Sequence, residues 1–339
     1  MSRSSKQRPI SGRRVDPVEL VTRICAQYGE PDYLETIRRD MVRSGIVKAV
    51  RERDSRHLYD WMMVCFNFQG VSNGVAAAYL EEHGNAQFDA VGRQLKRRSS
   101  VCPKLTDFDA FRRCGYIKSR VTCNNRGALP RCPVPSHELR KGALNQAAFS
   151  LYLFIRDRAD GDLIGFIDRV LEAADRPGHP DRIALMRKAL VGELVKVFGI
   201  AKKIIYMTLA DFLLVSDPDR PRWRETGGSM IAIDTLVHNF LHRAGIHFRY
   251  GLKHAFGSTC YGPNGCEGVL DELARTIDTR QFNSAFPPYF PRFIQHTLWR
   301  FCAESKAGIC NGRNIDDRDR CVQHECPVFS VCGRVALRA

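Results

Sequence analysis

Four cysteines close the chain at the spacing Cys310-x10-Cys321-x4-Cys326-x5-Cys332. Four thiols in so short a stretch suit an iron–sulfur cluster or a structural zinc ion, because each deprotonated sulfur supplies one ligand. Cys302 competes with Cys310 for the first position. Different chemistry is offered by Leu194-Val195-Lys196-Val197-Phe198-Gly199-Ile200-Ala201-Lys202-Lys203, where a small-residue turn separates two apolar runs. This is a helix-hairpin-helix pattern, whose turn presents backbone N–H groups at a helix N-terminus and so suits a phosphate. An ordinary αα-hairpin explains the same residues equally well. In a third segment, 231–246, Asp234 opens a helix directly after an apolar triplet and by itself reads as an N-cap.

Other residues are explained by packing. Cys102, Cys114, Cys123 and Cys132 lie in a basic stretch at intervals unlike those of zinc ribbons, so buried reduced thiols are favoured over a second metal site. Cys25 and Cys65 fit apolar helix faces, and Cys260 and Cys266 fall in a Gly-rich loop. His238 and His242 are four apart but lack an evident third ligand, which favours a helix surface. Trp223, in a charged loop, reads as a packing anchor before a base-stacking residue.

The elements that must position these groups are helices. Apolar periodicity of helical type dominates, with no long strand alternation and no internal repeat, and predicts an all-α protein. Asp16-Pro17 opens the first helix, and further helices are expected over 33–51, 59–82, 142–156, 162–174, 181–197, 200–215, 229–244 and 288–302. Residues 93–142 read as a basic, loop-rich insertion, and 216–228, rich in Pro, Gly and charge, as a surface loop. The expected organisation is a basic disordered tail at 1–15 and N-terminal helices at 16–58 that pack with the last domain. A helical domain carrying the hairpin follows at 59–228, and a metal-containing domain at 229–339.

Composition limits the partners. Lys and Arg number 52 against 37 acidic residues in a chain of 339, a net charge of +15 that points to an anionic partner. With 44% apolar and 26% charged residues, neither wholesale disorder nor a membrane bundle fits. The longest apolar stretch, 204–215, is interrupted by Asp211 and falls short of the ~20 residues a membrane span needs. The N-terminus is basic without an apolar core, so a solvated tail touching nucleic acid is favoured over a transit peptide, and no secretory signal is expected. Thirteen cysteines without an export signal predict a reducing compartment, with cytoplasm as the default.

Read together, the three chemical segments resemble the endonuclease III branch of the helix-hairpin-helix DNA glycosylase superfamily. The family's hairpin, roughly L-P-G-V-G-x-K-T-A, is similar to Gly199-Ile200-Ala201-Lys202-Lys203 and puts Lys203 at its catalytic lysine. Ile233 to Gly245 resembles the V-D-T-H-V-x-R-V-x-x-R-x-G stretch, which puts Asp234 at the catalytic aspartate and matches Thr235, Val237, Arg243 and Gly245. Cys326-Pro327-x4-Cys332 reproduces the last interval of the family's cluster motif. Phe66 to Gly70 resembles a segment whose glutamine, here Gln69, fills the gap left by an extruded base.

The resemblance implies a two-domain fold, a six-helix barrel domain plus an iron–sulfur cluster domain, with the active site in a cleft between the two. It implies a [4Fe–4S] cluster on Cys310, Cys321, Cys326 and Cys332, and DNA contacts from Gln69, Gly199, Ile200, Ala201, Lys202 and Arg313. The activity implied is base excision with a lyase step: an unprotonated Lys203 attacks the sugar C1′ and Asp234 takes its proton. The partner would be double-stranded DNA, bound by a monomer associated with the nucleoid. The alternatives are a non-catalytic iron–sulfur DNA-binding protein and an RNA-directed one.

Overall fold

The structure is a computed structural model that describes residues 15–137 and 139–338, so the expected tail lies almost wholly outside the described residues. The chain is mostly helical, and its strands amount to one short antiparallel pair among the described residues. It forms two compact units, Met1–Tyr33 with Ile231–Ala339, and Leu34–Met230.

In the first unit α1 (Pro17–Tyr28) begins as its sequence dictates. Asp16 accepts from the Val18 and Glu19 N–H groups, Pro17 occupies the first turn, and Leu20, Val21, Ile24 and Cys25 form its buried face.

The chain enters the second unit at α2 (Tyr33–Arg43), which is separated from α3 (Ile46–Glu52) by Gly45 at φ +75°. The expected single helix over 33–51 is therefore two, because a residue with left-handed backbone ends the first. A second break parts α4 (Ser55–Phe66) from α5 (Asn73–His83), where Gly70 has φ +68° and the Ser72 hydroxyl caps the new start. The Ser55 hydroxyl accepts from the Leu163 N–H at 2.8 Å, and Arg53 pairs with Asp162. These bonds tie α3 and α4 to the second unit, so the N-terminal piece that belongs with the C-terminal region ends at Tyr33, not at 58.

After α6 (Phe88–Arg98) the basic insertion is loop-rich, as expected. It holds short 3-10 turns, one four-residue helix, α7 (Phe108–Phe111), and the pair β1 (Tyr116–Ile117) and β2 (Thr122–Cys123), in register Tyr116 to Cys123. The core resumes with α8 (Asn145–Asp157), buried along most of its length, then α9 (Leu163–Ala174), α10 (Arg182–Leu194) and α11 (Lys202–Val215). Residues 216–228 are not a surface loop throughout, since α12 (Pro221–Gly228) lies within them. Pro221 is a helix-starting proline, and Trp223 is buried, 5.0 Å from Phe212 between ring centroids, with its Nε1 donating to Asp168 at 2.8 Å. The packing-anchor reading of Trp223 holds.

On return to the first unit, Met230 to Asp234 is not helical, and α13 (Thr235–Arg243) starts later than the expected 229. Gly245 at φ +83° turns the chain into α14 (Ile246–Arg249), followed by α15 (Cys266–Thr276) and α16 (Pro291–Cys302). Glu30, just past α1, bonds His296 at 3.2 Å and pairs with Arg300 on α16, and Tyr28 meets Phe301 edge-on at 5.2 Å. From residue 303 to 338 the described chain is turns and irregular backbone.

Candidate functional site

The hairpin joins α10 to α11. Gly199 takes φ +75° with open space around it, and Ala201 is the N-cap of α11, so Lys202 and Lys203 occupy the first turn. Gln69 is fastened to this turn: its Nε2 donates to the Gly199 carbonyl at 2.9 Å, and its Oε1 accepts from the Ala201 N–H at 2.7 Å. The structure thus brings Gln69, Gly199 and Ala201 together. Both ends of that amide are engaged in bracing the hairpin, and one of the turn donors expected for phosphate is already taken. The Gly199 and Ile200 N–H groups have no acceptor among the described residues. They stand at an open depression of about 520 Å³ whose rim includes Lys196 and Arg112. Lys202 Nζ lies 5.3 Å above the Tyr206 ring, and Lys203 is half-buried.

Asp234 is an N-cap, as its position suggested. Its carboxylate accepts from the Val237 N–H at 2.9 Å, while the Tyr261 hydroxyl bonds both the N–H and the carbonyl of Ile233. Lys203 belongs to the second unit and Asp234 to the first.

All four predicted C-terminal ligands line one narrow cavity of about 20 Å³, with Phe240, Arg243 and Arg334 among its walls. Cys302 is not on this cavity; it is a hydrogen-bond partner of Cys310 and is itself fully buried. That bond, with help from Arg243, lowers the Cys310 thiol, while burial raises Cys326 and pushes Cys332 up to about 12. Arg243 pairs with Asp317, yet its Nε is buried without a hydrogen-bond partner, as is the Arg334 Nε. Two unanswered guanidinium donors beside four thiols suit an anionic metal–thiolate group. Arg313, expected at phosphate, is exposed and pairs with Glu304.

The thiols of the insertion also converge. Cys102, Cys114, Cys123 and Cys132 line one cavity of about 270 Å³, together with Lys104 and Arg113, and only Cys102 is buried. Lining a space of this size does not bring the four sulfurs to metal-ligand distances, and the reading as reduced thiols stands.

A further group was missed in the sequence. His238, His247, His254 and Cys266 present four ligand atoms within 4.8 Å of one another. Cys266 Sγ lies 3.3 Å from His238 Nδ1, 3.3 Å from His247 Nε2 and 3.4 Å from His254 Nε2. Cys260 Sγ is 3.5 Å from His238 Nδ1 and bonds Cys266, which holds the Cys260 thiol down to about 4. Burial, aided by the other imidazoles, keeps His247 at about 3 and so uncharged at neutral pH. His238 therefore does not lie on a helix surface, and Cys266 is not in a loop but begins α15. His242 stands outside the four, edge-on to His247 at 5.9 Å, with its Nε2 3.2 Å from the Ala336 carbonyl oxygen. The available signal was density: four histidines and two cysteines lie between 238 and 266.

These four residues could hold a metal ion. No helix among the described residues is long and apolar enough to cross a membrane. The chain matches no family model, no curated protein and no solved structure.

Proposed function

We propose that the protein is a base-excision DNA glycosylase with lyase activity, acting as a monomer on double-stranded DNA in the cytoplasm, at the nucleoid. The observation that carries this reading is the braced hairpin. Gly199 and Ile200 offer two unanswered N–H groups at a positive helix end, beside Lys196 and Arg112. Lys203 follows in the first turn of that helix, where the dipole disfavours an ammonium group.

On this reading the Lys203 amine attacks C1′ of an extruded nucleotide, the N-glycosidic bond breaks and the base departs. Asp234 takes the lysine proton and stabilises the cationic sugar. Opening of the sugar ring at the C1′–O4′ bond then gives the Schiff base, and loss of a C2′ proton with cleavage of the C3′–O bond (β-elimination) releases the 3′ phosphate. Gln69, by bracing the turn, positions the phosphate donors and does not itself fill the base gap.

Cys310, Cys321, Cys326 and Cys332 would hold a [4Fe–4S] cluster, whose negative charge answers the two orphaned guanidinium nitrogens. The narrowness of their cavity favours a second reading of this centre, a single zinc ion on the same four thiolates. Iron and acid-labile sulfide in the purified protein would establish the cluster; zinc without sulfide would establish the ion.

The test of function is trapping. Borohydride should reduce the Schiff base and leave a covalent complex between the protein and a duplex carrying a lesion or an abasic site. Lys203→Gln should abolish the complex and keep duplex affinity within a few-fold. If no lesion or abasic duplex gives a trapped species, the lyase reading is lost, and the non-catalytic iron–sulfur DNA-binding protein takes its place. The N-cap duty of Asp234 is the observation on that side.

A further inference from the structure

We propose that His238, His247, His254 and Cys266 bind one zinc-class ion in a closed tetrahedral site, and that this ion fixes the helix that begins at Asp234.

Distance is the first support. A tetrahedral ion bound at about 2.0–2.3 Å to nitrogen and sulfur holds its ligand atoms roughly 3.3–3.8 Å apart. Cys266 Sγ stands 3.3, 3.3 and 3.4 Å from three different imidazole nitrogens. Three independent side chains converge on one sulfur at the edge length of such a tetrahedron. A thiol has one proton to give, so hydrogen bonding covers all three approaches only where imidazole N–H groups also converge on a sulfur that is a weak acceptor.

Burial is the second. His238, His247 and Cys266 are 6%, 1% and 0% exposed, and the His238 ring lies 4.9 Å from that of His247 and 5.3 Å from that of His254. Stacking three imidazoles around a thiol in the interior is costly unless something satisfies the converging lone pairs, and a cation does so. The donor set chooses its class. Three nitrogens and one thiolate in four-coordinate geometry suit zinc over calcium or magnesium, which take oxygen ligands. Four protein ligands leave no open position, so the site holds structure and does not catalyse.

The ligands come from α13, α14, the loop after it and the first turn of α15. Between α14 and α15 the described chain has one 3-10 turn, Ser258–Cys260. The ion therefore supplies the cross-link that this stretch lacks. Cys260, beside Cys266, is a neighbouring thiol outside the four. The proposal stands apart from the glycosylase reading, since it concerns metal content and not turnover.

The experiment is metal analysis of the full chain. The wild-type protein should carry one equivalent of zinc through this site, lost in Cys266→Ser and retained in Cys310→Ser and Cys260→Ser. Cobalt added to apoprotein should give the intense visible absorption of a tetrahedral site with a thiolate-to-metal band, and zinc should abolish it. Should Cys266→Ser fail to fold, the cobalt spectrum of the wild type and of Cys310→Ser still decides. Zinc content that is unchanged in a folded Cys266→Ser, or cobalt that gives no tetrahedral thiolate spectrum in Cys310→Ser, would overturn the assignment.

Discussion

Asp175 shows how one carboxylate joins three helices. It accepts from Arg182 Nε at 2.5 Å and Arg222 Nε at 2.8 Å, while Arg182 also bonds Glu225 at 2.7 Å, linking the ends of α9, α10 and α12. These bonds hold its carboxyl down at about 2, below the ordinary 3.8. A depressed carboxyl contributes stability that is present above its unfolded value and disappears as the pH falls through the folded one. The wild type should thus lose this contribution between about pH 4 and pH 2. Asp175→Asn should be less stable at pH 7, by on the order of 1–3 kcal/mol, and should show a shallower acid dependence over that window in urea melts followed by circular dichroism. Trp223→Ala should cost more, about 3–5 kcal/mol, because it opens a cavity against Phe212 and takes away one of the two partners of Asp168, leaving it Arg220. A thermal shift under 2 °C for Trp223→Ala would contradict its role as an anchor.

At the scale of elements, the hairpin depends on one backbone conformation. Gly199 has φ +75° and a Cβ added to it would meet nothing within 4 Å, so Gly199→Ala meets no clash and costs only the left-handed strain of about 1–2 kcal/mol. The variant should fold, with duplex affinity weakened several-fold in a fluorescence titration, since the two unanswered N–H groups are displaced. Unchanged affinity would remove the hairpin from the DNA-binding surface. Gln69→Ala should act in the same direction, through loss of the brace on Gly199 and Ala201.

These same elements show what could be read from residue order. The N-cap at Asp16 and the hairpin turn were legible because each is a local pattern: a cap and a glycine turn. The breaks at Gly45 and Gly70 were not, because apolar periodicity continues across them and only the left-handed backbone reveals the stop. Helix α12 was hidden because a starting proline followed by arginines looks like a loop until Trp223 finds Phe212. The group around Cys266 was hidden for a different reason: its ligands come from three helices and a loop, so no interval in the chain announces it.

The whole molecule carries a net charge of +15, and its proposed partner is a polyanion. Each phosphate neutralised should add about −0.9 to the slope of log affinity against log salt for duplex DNA. Lys196→Ala and Arg112→Ala should each reduce that slope by about one unit if both meet phosphate. A slope that stays flat in the wild type would argue against duplex binding altogether.

Helix α13 has nine residues, and helices below about 12–15 residues barely persist without outside help. Its first residue follows Asp234, its middle contributes His238, and its last, Arg243, reaches Cys310. A short rod clamped near its centre and at one tip has little freedom left at the other. On the two proposed centres, removal of either metal should therefore be felt first as a loosened aspartate, before the fold gives way.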